Sequence, residues 1–585
     1  MFRPTSNAIR TFSRSFGCPQ LANARRRLHA QAEKIPGSND QKFAVAAAAG
    51  LAGLTAYQFV GRESDIHADA IPIAAETRKQ RISAQNIQVQ SSLENPGVYV
   101  WGDNSGKVIA PDSKEKVIKT PRRLAFFDGQ LLRDLQVSKE AGVAVDENGD
   151  ILQWGNGYSP GIKLPEKTLK GKNIATVRLT KDKVIALSKD GTLYSIAISK
   201  KHQEEGHKPT SSGWIPGTSS ASDISFRILK PESLGYTEKI SSIATGQDHL
   251  LVLTSAGRLF SSAASYSYPS RGQMGIQGLT YASRPVGKPI DHLQEITSLS
   301  PHKITSISAG DYHSVALTST GEVFTFGDNV HGQLGFEYNP ESNTVDVPTP
   351  LLFNHLYGKT EKATITAIAA GGMNSYFIAD VVNSGGRETC DVLACGTGIH
   401  GNLGNGRWTH IQGSPTKIKA LSGLVEYNET TNKLQPIKVR CMTVGTNHCA
   451  GVMANHSNIT GTGSSISDVK YGNDVLWWGN NEFYQLGTGK RNNCNVPVYI
   501  QPLDGVPAEL KGEGFTGSSS RGAVEARQSG IIGGHNREDS GRTMTDHDQV
   551  HRFQVAPEGK VKGGNKASQT VVCGRGNTAV YMKKC

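Results

Sequence analysis

Apolar residues in this chain come in short bursts that stop at glycine or a small polar residue and then start again. Runs such as 250–253 and 475–478 are too short for the 3.6-residue stripe of a packed helix. Bounded by Gly, Asn, Asp and Ser, they predict β-strands joined by tight turns. The pattern holds from about residue 97 onward and predicts an all-β fold.

Four elements recur with these strands, and such a recurrence must be settled before any single motif is read. One is a strand ending in aromatic–glycine: Trp101-Gly102, Trp154-Gly155, Phe326-Gly327 and Trp478-Gly479, with Cys395-Gly396 as a weaker copy. The second is Gly-Gln/Asn-Leu/Met-Gly at 272–275, 332–335 and 401–404, with a partial copy at 485–487. The third is a glycine followed three residues later by histidine and a new strand: Gly246 and His249, Gly310 and His313, Gly445 and His448. Asn374 after Gly371 and Asn577 after Gly574 stand in the histidine place, as do Ala141 and Lys183 in the first two units. The fourth is a hairpin turn carrying Gly149, Gly191, Gly257 or Gly321, at spacings of 42, 66 and 64 residues. Sixty-odd residues with several short strands describe a propeller blade. Turn glycines supply the positive φ that other residues resist, so Gly310 and Gly445 are expected in left-handed turns.

These motifs resemble the RCC1 repeat family. The resemblance implies a seven-bladed β-propeller over about 97–585, with four antiparallel strands per repeat and units starting near 98, 151, 193, 258, 322, 392 and 475. Trp101, Trp154, Phe326 and Trp478 are then expected in blade cores. His249, His313 and His448, once per blade, are expected to bond backbone where blades meet rather than to ligate metal. The strand at Val98 must meet the one at 578–582 to close the ring and remove exposed sheet edges. Polar, Gly/Ser-rich insertions at 200–222 and 505–550 read as disordered surface loops.

Composition narrows the classes further. Glycine supplies 65 of 585 residues and proline 25, which excludes a helical bundle or coiled coil. The formal net charge is +12, but six arginines lie in residues 1–28 with no acid, which leaves +6 for the rest. No later Lys/Arg run is interleaved with aromatics, which argues against a nucleic-acid partner. The Arg- and Ser-rich, acid-free start reads as a mitochondrial presequence over 1–28, with a disordered basic tail as the bland alternative. Residues 43–60 lack charge and reach across a thinned or tilted bilayer, so one inner-membrane helix is expected, followed by a linker at 61–96. The alternative there is a longer targeting region. Counting Lys and Arg beside the span favours a matrix-side stub and a propeller in the intermembrane space.

No catalytic constellation emerges. The eight cysteines include no CxxC pair, and Cys395, Cys449 and Cys573 fall in apolar strands as small hydrophobes. The GxGxxG at 396–401 follows a strand but precedes no helix former, and its glycines coincide with repeat positions. No cofactor, metal or enzymatic activity is expected. A presequence, one anchor and an RCC1-like domain in that order resemble a fungal inner-membrane branch of the family. That resemblance implies a scaffold whose protein partners are complex III subunits or assembly factors and which helps assemble respiratory complex III. The alternative is a guanine-nucleotide exchange factor for a mitochondrial GTPase, and a third reading is an RNA or mitoribosome partner.

Overall fold

A computed structural model describes residues 88–212, 219–428, 431–455, 458–459, 469–470, 472–500, 552–561 and 563–585. All lie in the unit Thr77–Cys585. The expected presequence at 1–28, the expected span at 43–60 and most of the linker at 61–96 lie outside them, as does the 505–550 insertion. Among the described residues, no helix is long and apolar enough to cross a membrane.

The described chain is a ring of antiparallel β-sheets. One sheet shows the plan: Ile304–Ala309, His313–Thr318, Val323–Asp328 and Thr344–Leu351 pair in sequence order. The hairpin between its second and third strands turns at Gly321, with φ 85°, as the Thr320-Gly321 pair predicts. Its second and third strands are buried throughout, so side chains on both faces serve a core. A four-stranded sheet cannot cover both its faces alone, and neighbouring sheets must do it.

Seven separate blades were expected, and here the structure differs. Among the described residues, five sheets of four or five strands stand free, and the remaining blade strands form one nine-stranded sheet. That sheet holds two antiparallel four-strand runs. One is Lys566–Cys573, Asn577–Lys584, Val98–Asp103 and Val117–Arg123; the other is Leu132–Val137, Gly142–Asp146, Ile151–Trp154 and Glu166–Lys167. A single parallel pairing, Leu132 with Lys583, joins the runs. The expected closure is present: Val98 pairs with Tyr581 and Gly102 with Asn577. The unit starts expected near 98, 151, 193, 258, 322, 392 and 475 fall in or beside the third strand of a sheet or run, not its first. This two-strand offset is what sends the first strands of the chain to complete the last run.

The innermost strands are Leu132–Val137, Ile174–Leu179, Ile240–Thr245, Ile304–Ala309, Glu361–Gly371, Val439–Val444 and Lys566–Cys573. Each packs against the next, and the last packs against the first. Side chains stitch them together. Asp134 Oδ2 accepts from Val177 N at 3.0 Å, Ser308 Oγ from Ala370 N at 2.8 Å and Thr443 Oγ1 from Cys573 N at 3.0 Å.

The 200–222 insertion is not wholly irregular as expected. It forms the helix Lys200–Glu205 and a hairpin of Thr210–Ser212 with Ser219–Ala221. Gln203 anchors the helix: it is buried and donates to Gln153 Oε1 at 2.8 Å.

Trp101, Trp154, Phe326 and Trp478 are all fully buried, as expected. The indoles also donate: Trp101 to Gln485 O at 2.8 Å, Trp154 to Val108 O at 2.8 Å and Trp478 to Asn402 O at 2.7 Å. Each acceptor lies in the loop of the preceding sheet or run. Trp478→Ala is therefore expected to cost about 3–5 kcal/mol in urea unfolding. Trp478→Phe should cost only about 1 kcal/mol, because Tyr376 OH also donates to Asn402 O, at 2.6 Å, and keeps that acceptor satisfied. Equal losses from both would contradict the assignment.

Candidate functional site

The glycine–histidine element builds the centre of the ring. In three repeats the inner strand ends just before the glycine, the chain turns, and His249, His313 or His448 opens the second strand; Asn374 and Asn577 do so in two others. The seven turns meet at one mouth of the ring around a cavity of about 120 Å³, lined by Ser138, Leu179, Gly246, Gly310, Gly371, Gly445, Gly574 and their neighbours. Backbone hydrogen bonds pass from turn to turn: Lys181 N to Gln247 O at 2.9 Å, Gln247 N to Asp311 O at 3.0 Å, Asp311 N to Gly372 O at 2.7 Å. Thr446 N continues to Gly574 O at 3.3 Å.

That contact explains the glycines, and it corrects one expectation. Gly310 and Gly445 do not have left-handed φ, nor do Gly246, Gly371 and Gly574. They are required because a β-carbon would strike the neighbouring turn. At Gly310 it would meet the His313 ring and Gly372 O, at Gly445 Gly574 O, and at Gly574 Val137 O. Positive φ belongs instead to the glycines after the aromatics, such as Gly327 at 114° and Gly479 at 107°. The first two units lack the glycine, and a hydroxyl closes the turn: Ser138 Oγ accepts from Ala141 N at 3.1 Å and Thr180 Oγ1 from Lys183 N at 3.0 Å.

The histidines latch one sheet to the next. His249 Nε2 lies 3.0 Å from Ser314 Oγ, His313 Nε2 2.9 Å from Ser375 Oγ and His448 Nε2 2.8 Å from Thr578 Oγ1. Each hydroxyl donates its one proton to a loop carbonyl: Gln273 O at 2.9 Å, Gln333 O at 2.7 Å and Gln485 O at 2.7 Å. The imidazole must then be the donor at Nε2, which fixes the tautomer with Nδ1 bare. All three Nδ1 atoms are buried without a hydrogen-bond partner, and that of His249 lies 3.6 Å from Asp248 Oδ1. Burial pushes the His313 and His448 imidazoles down to about 3.

Ser314, Ser375 and Thr578 carry no motif of their own, and the sequence reading passed over them. They directly follow His313, Asn374 and Asn577. Around the ring, histidine occurs only where this next position of the following sheet is a hydroxyl. Ala141 faces Val184, Lys183 faces Leu250, Asn374 faces Cys449 and Asn577 faces Gly142 at the corresponding place. The asparagines turn elsewhere: Asn374 Nδ2 donates to Thr397 O at 2.6 Å and Asn577 Nδ2 to Ser138 O at 2.8 Å.

A second cavity of about 720 Å³ opens at the same mouth, over the turns that carry Lys139, Lys181 and Arg575. The helix of the 200–222 insertion forms part of its wall through His202, which meets Tyr266 edge-on at 5.8 Å. Lys139 pairs with buried Asp103 at 3.6 Å, and Asp182 accepts from Ser265 Oγ at 2.9 Å. Asp311 lies across the central opening; burial pushes its carboxyl up, opposed by Arg575 and Gln247. The mouth thus interleaves Lys139, Lys181 and Arg575 with Asp103, Glu140, Asp182 and Glu482.

No group of three or more His, Cys, Asp and Glu able to hold a metal occurs among the described residues. Cys395, Cys449 and Cys573 are buried, and burial pushes the Cys449 thiol up to about 12. Gly396 and Gly401 of the GxGxxG occupy repeat positions with φ of 116° and 82°, followed by turns rather than a helix.

Two outcomes follow from the latch. Unfolded histidine protonates near about 6.5, whereas His313 and His448 stay neutral in the fold down to about 3. The unfolded state thus binds more protons between those values. Their stabilisation is complete above about pH 6.5 and is lost as the pH falls toward about 3. In the double variant His313→Asn/His448→Asn, proton uptake on unfolding near pH 5, read from the pH slope of urea stability, should fall by about two. An unchanged slope would contradict the latch. Gly310→Ala should destabilise by about 1–3 kcal/mol despite its ordinary φ, because the added methyl overpacks the turn.

The Regulator of chromosome condensation (RCC1) repeat matches this chain at residues 304–333, 320–378 and 473–510. Protein FMP25, mitochondrial, of Saccharomyces cerevisiae is 24% identical over 443 residues, covering 71% of this chain and 68% of that protein. The RCC1 domain-containing protein RUG3, mitochondrial, of Arabidopsis thaliana is 24% identical over 387 residues, 64% of this chain and 77% of its own. The guanine nucleotide exchange factor SRM1 of Saccharomyces cerevisiae is 24% identical over 336 residues, 52% of this chain and 63% of its own. Among solved structures, yeast RCC1 (Prp20) bound to Kap60 superposes with a TM-score of 0.50 at 17% identity, covering 84% of this chain and 90% of that one. The chain thus carries matches to the RCC1 repeat over 304–378 and 473–510, and its ring of sheets has the fold of an RCC1 propeller.

Proposed function

We propose that this chain is a non-enzymatic, membrane-tethered scaffold of mitochondria that assists assembly of respiratory complex III. The observation that carries the reading is the similarity to FMP25, mitochondrial, over 71% of this chain, joined to an acid-free, arginine-rich start. RUG3, also named as mitochondrial, points the same way. With each run of the nine-stranded sheet counted as a blade, the ring has seven. The propeller faces the intermembrane space and offers the mouth around Lys139, Lys181 and Arg575 to protein partners. Yeast RCC1, whose fold this chain shares, was solved bound to a protein partner, Kap60. Complex III as the client comes from the resemblance of the whole architecture to the fungal inner-membrane branch of the family.

Deleting the gene should lower assembled complex III, on native gels, while its subunits are still made. Protease added to mitoplasts with intact inner membranes should digest the propeller. Normal complex III would end the assembly reading, and a protected propeller would reverse the topology.

The similarity to SRM1 favours a second reading, nucleotide exchange on a mitochondrial GTPase. It predicts that purified protein speeds release of labelled GDP from such a GTPase; no acceleration with any of them would remove it.

A further inference from the structure

The outer strand Val117–Arg123 and the loop before it carry charge that the fold does not balance. Residues 114–123 hold five cations, Lys114, Lys116, Lys119, Arg122 and Arg123, and one acid, Glu115. Glu115 pairs with Arg122 at 3.2 Å across an exposed contact, worth little in water. Arg123 is held by Asp128 and by Pro96 O at 2.9 Å. Lys114, Lys116 and Lys119 are exposed and have no ion-pair partner among the described residues.

The neighbouring loop adds Lys490 to the patch, while its Arg491 is paired with Glu482 at 3.5 Å. The Lys119 ammonium sits 5.6 Å above the Tyr484 ring, so the loop that carries Lys490 and Arg491 lies beside the strand. A wide concavity of about 1000 Å³ runs along the strand and includes Ser91 and Asn95 of the chain's first described turn. The strand ends opposite Tyr99, so its arginines flank the point where the chain arrives from residue 88.

We propose that this strand and loop dock on an anionic phospholipid surface. Unpaired lysines on a wide, open, polar edge fit a plane of phosphates better than a small ligand, which would need an enclosing pocket. RNA fits less well. Both nearby rings already carry a cation, Tyr484 that of Lys119 and Tyr99 that of Arg123, so a base stacking there would compete with it. The proposal rests on the membrane-tethered reading for the presence of a bilayer, and it adds which edge of the ring faces it.

The test uses the full-length protein with vesicles of phosphatidylcholine alone or mixed with phosphatidylglycerol. Hydrogen exchange of the 112–123 segment should slow several-fold with anionic vesicles at low salt, and the protection should vanish at high salt. The full-length variant Lys116→Glu/Lys119→Glu should melt like the parent and exchange equally with both vesicle types. Equal exchange of the parent with both types would overturn the proposal, as would protection by an RNA oligonucleotide that exceeds protection by anionic vesicles. Alkaline carbonate extraction reads the anchor separately. A chain stripped by carbonate but protected at the strand refutes the tether alone; a retained chain without protection refutes the docking edge alone.

Discussion

A hydroxyl with one proton to give sets the geometry of three junctions between neighbouring sheets. Ser314, Ser375 and Thr578 spend that proton on a carbonyl in the preceding sheet, so the imidazole that meets them must donate. One small group thereby ties a loop, a turn and a strand from two sheets. The arrangement leaves Nδ1 bare and buried, which already costs desolvation; a proton there would add a buried charge, and burial holds His313 and His448 neutral.

The latch makes demands on its surroundings. The imidazole crowds the preceding glycine, and the turn beyond it takes the space a β-carbon would fill, so glycine is required there by contact and not by backbone angle. Junctions without the latch use other polar bridges. Asp134 accepts from Tyr581 OH at 3.3 Å on one side and from Arg178 Nη1 at 3.0 Å on the other, which links three consecutive inner units. Tyr376 OH lies 3.0 Å from Cys449 Sγ and donates to the same carbonyl as Trp478. Burial against neighbouring sheets supplies the bulk of the stability, while these bonds fix which sheet follows which.

Much of the fold was legible because the repeat writes its steric needs in glycine and aromatic residues. Trp101, Trp154, Phe326 and Trp478 are buried as read, and the first and last strands close the ring. The hydroxyl partners were not legible, since Ser and Thr are common and the pairing acts between repeats rather than within one. A comparison of each histidine with the residue after the next repeat's histidine would have found them. The merged sheet escaped because one pairing, Leu132 with Lys583, has no sequence mark. Gln203, which anchors the inserted helix, reads as one more polar residue in a polar loop.

The central claim is that neutral, Nε2-protonated histidines bridge neighbouring sheets. Nitrogen-15 NMR of histidine-labelled protein, with single His→Asn variants to assign the signals, tests it most directly. The account predicts that His313 and His448 each show one protonated Nε2 and one bare Nδ1, unchanged as the pH falls from neutral toward the onset of acid unfolding. Rings that titrate near the ordinary histidine value of about 6.5, or that carry the proton on Nδ1, would contradict it.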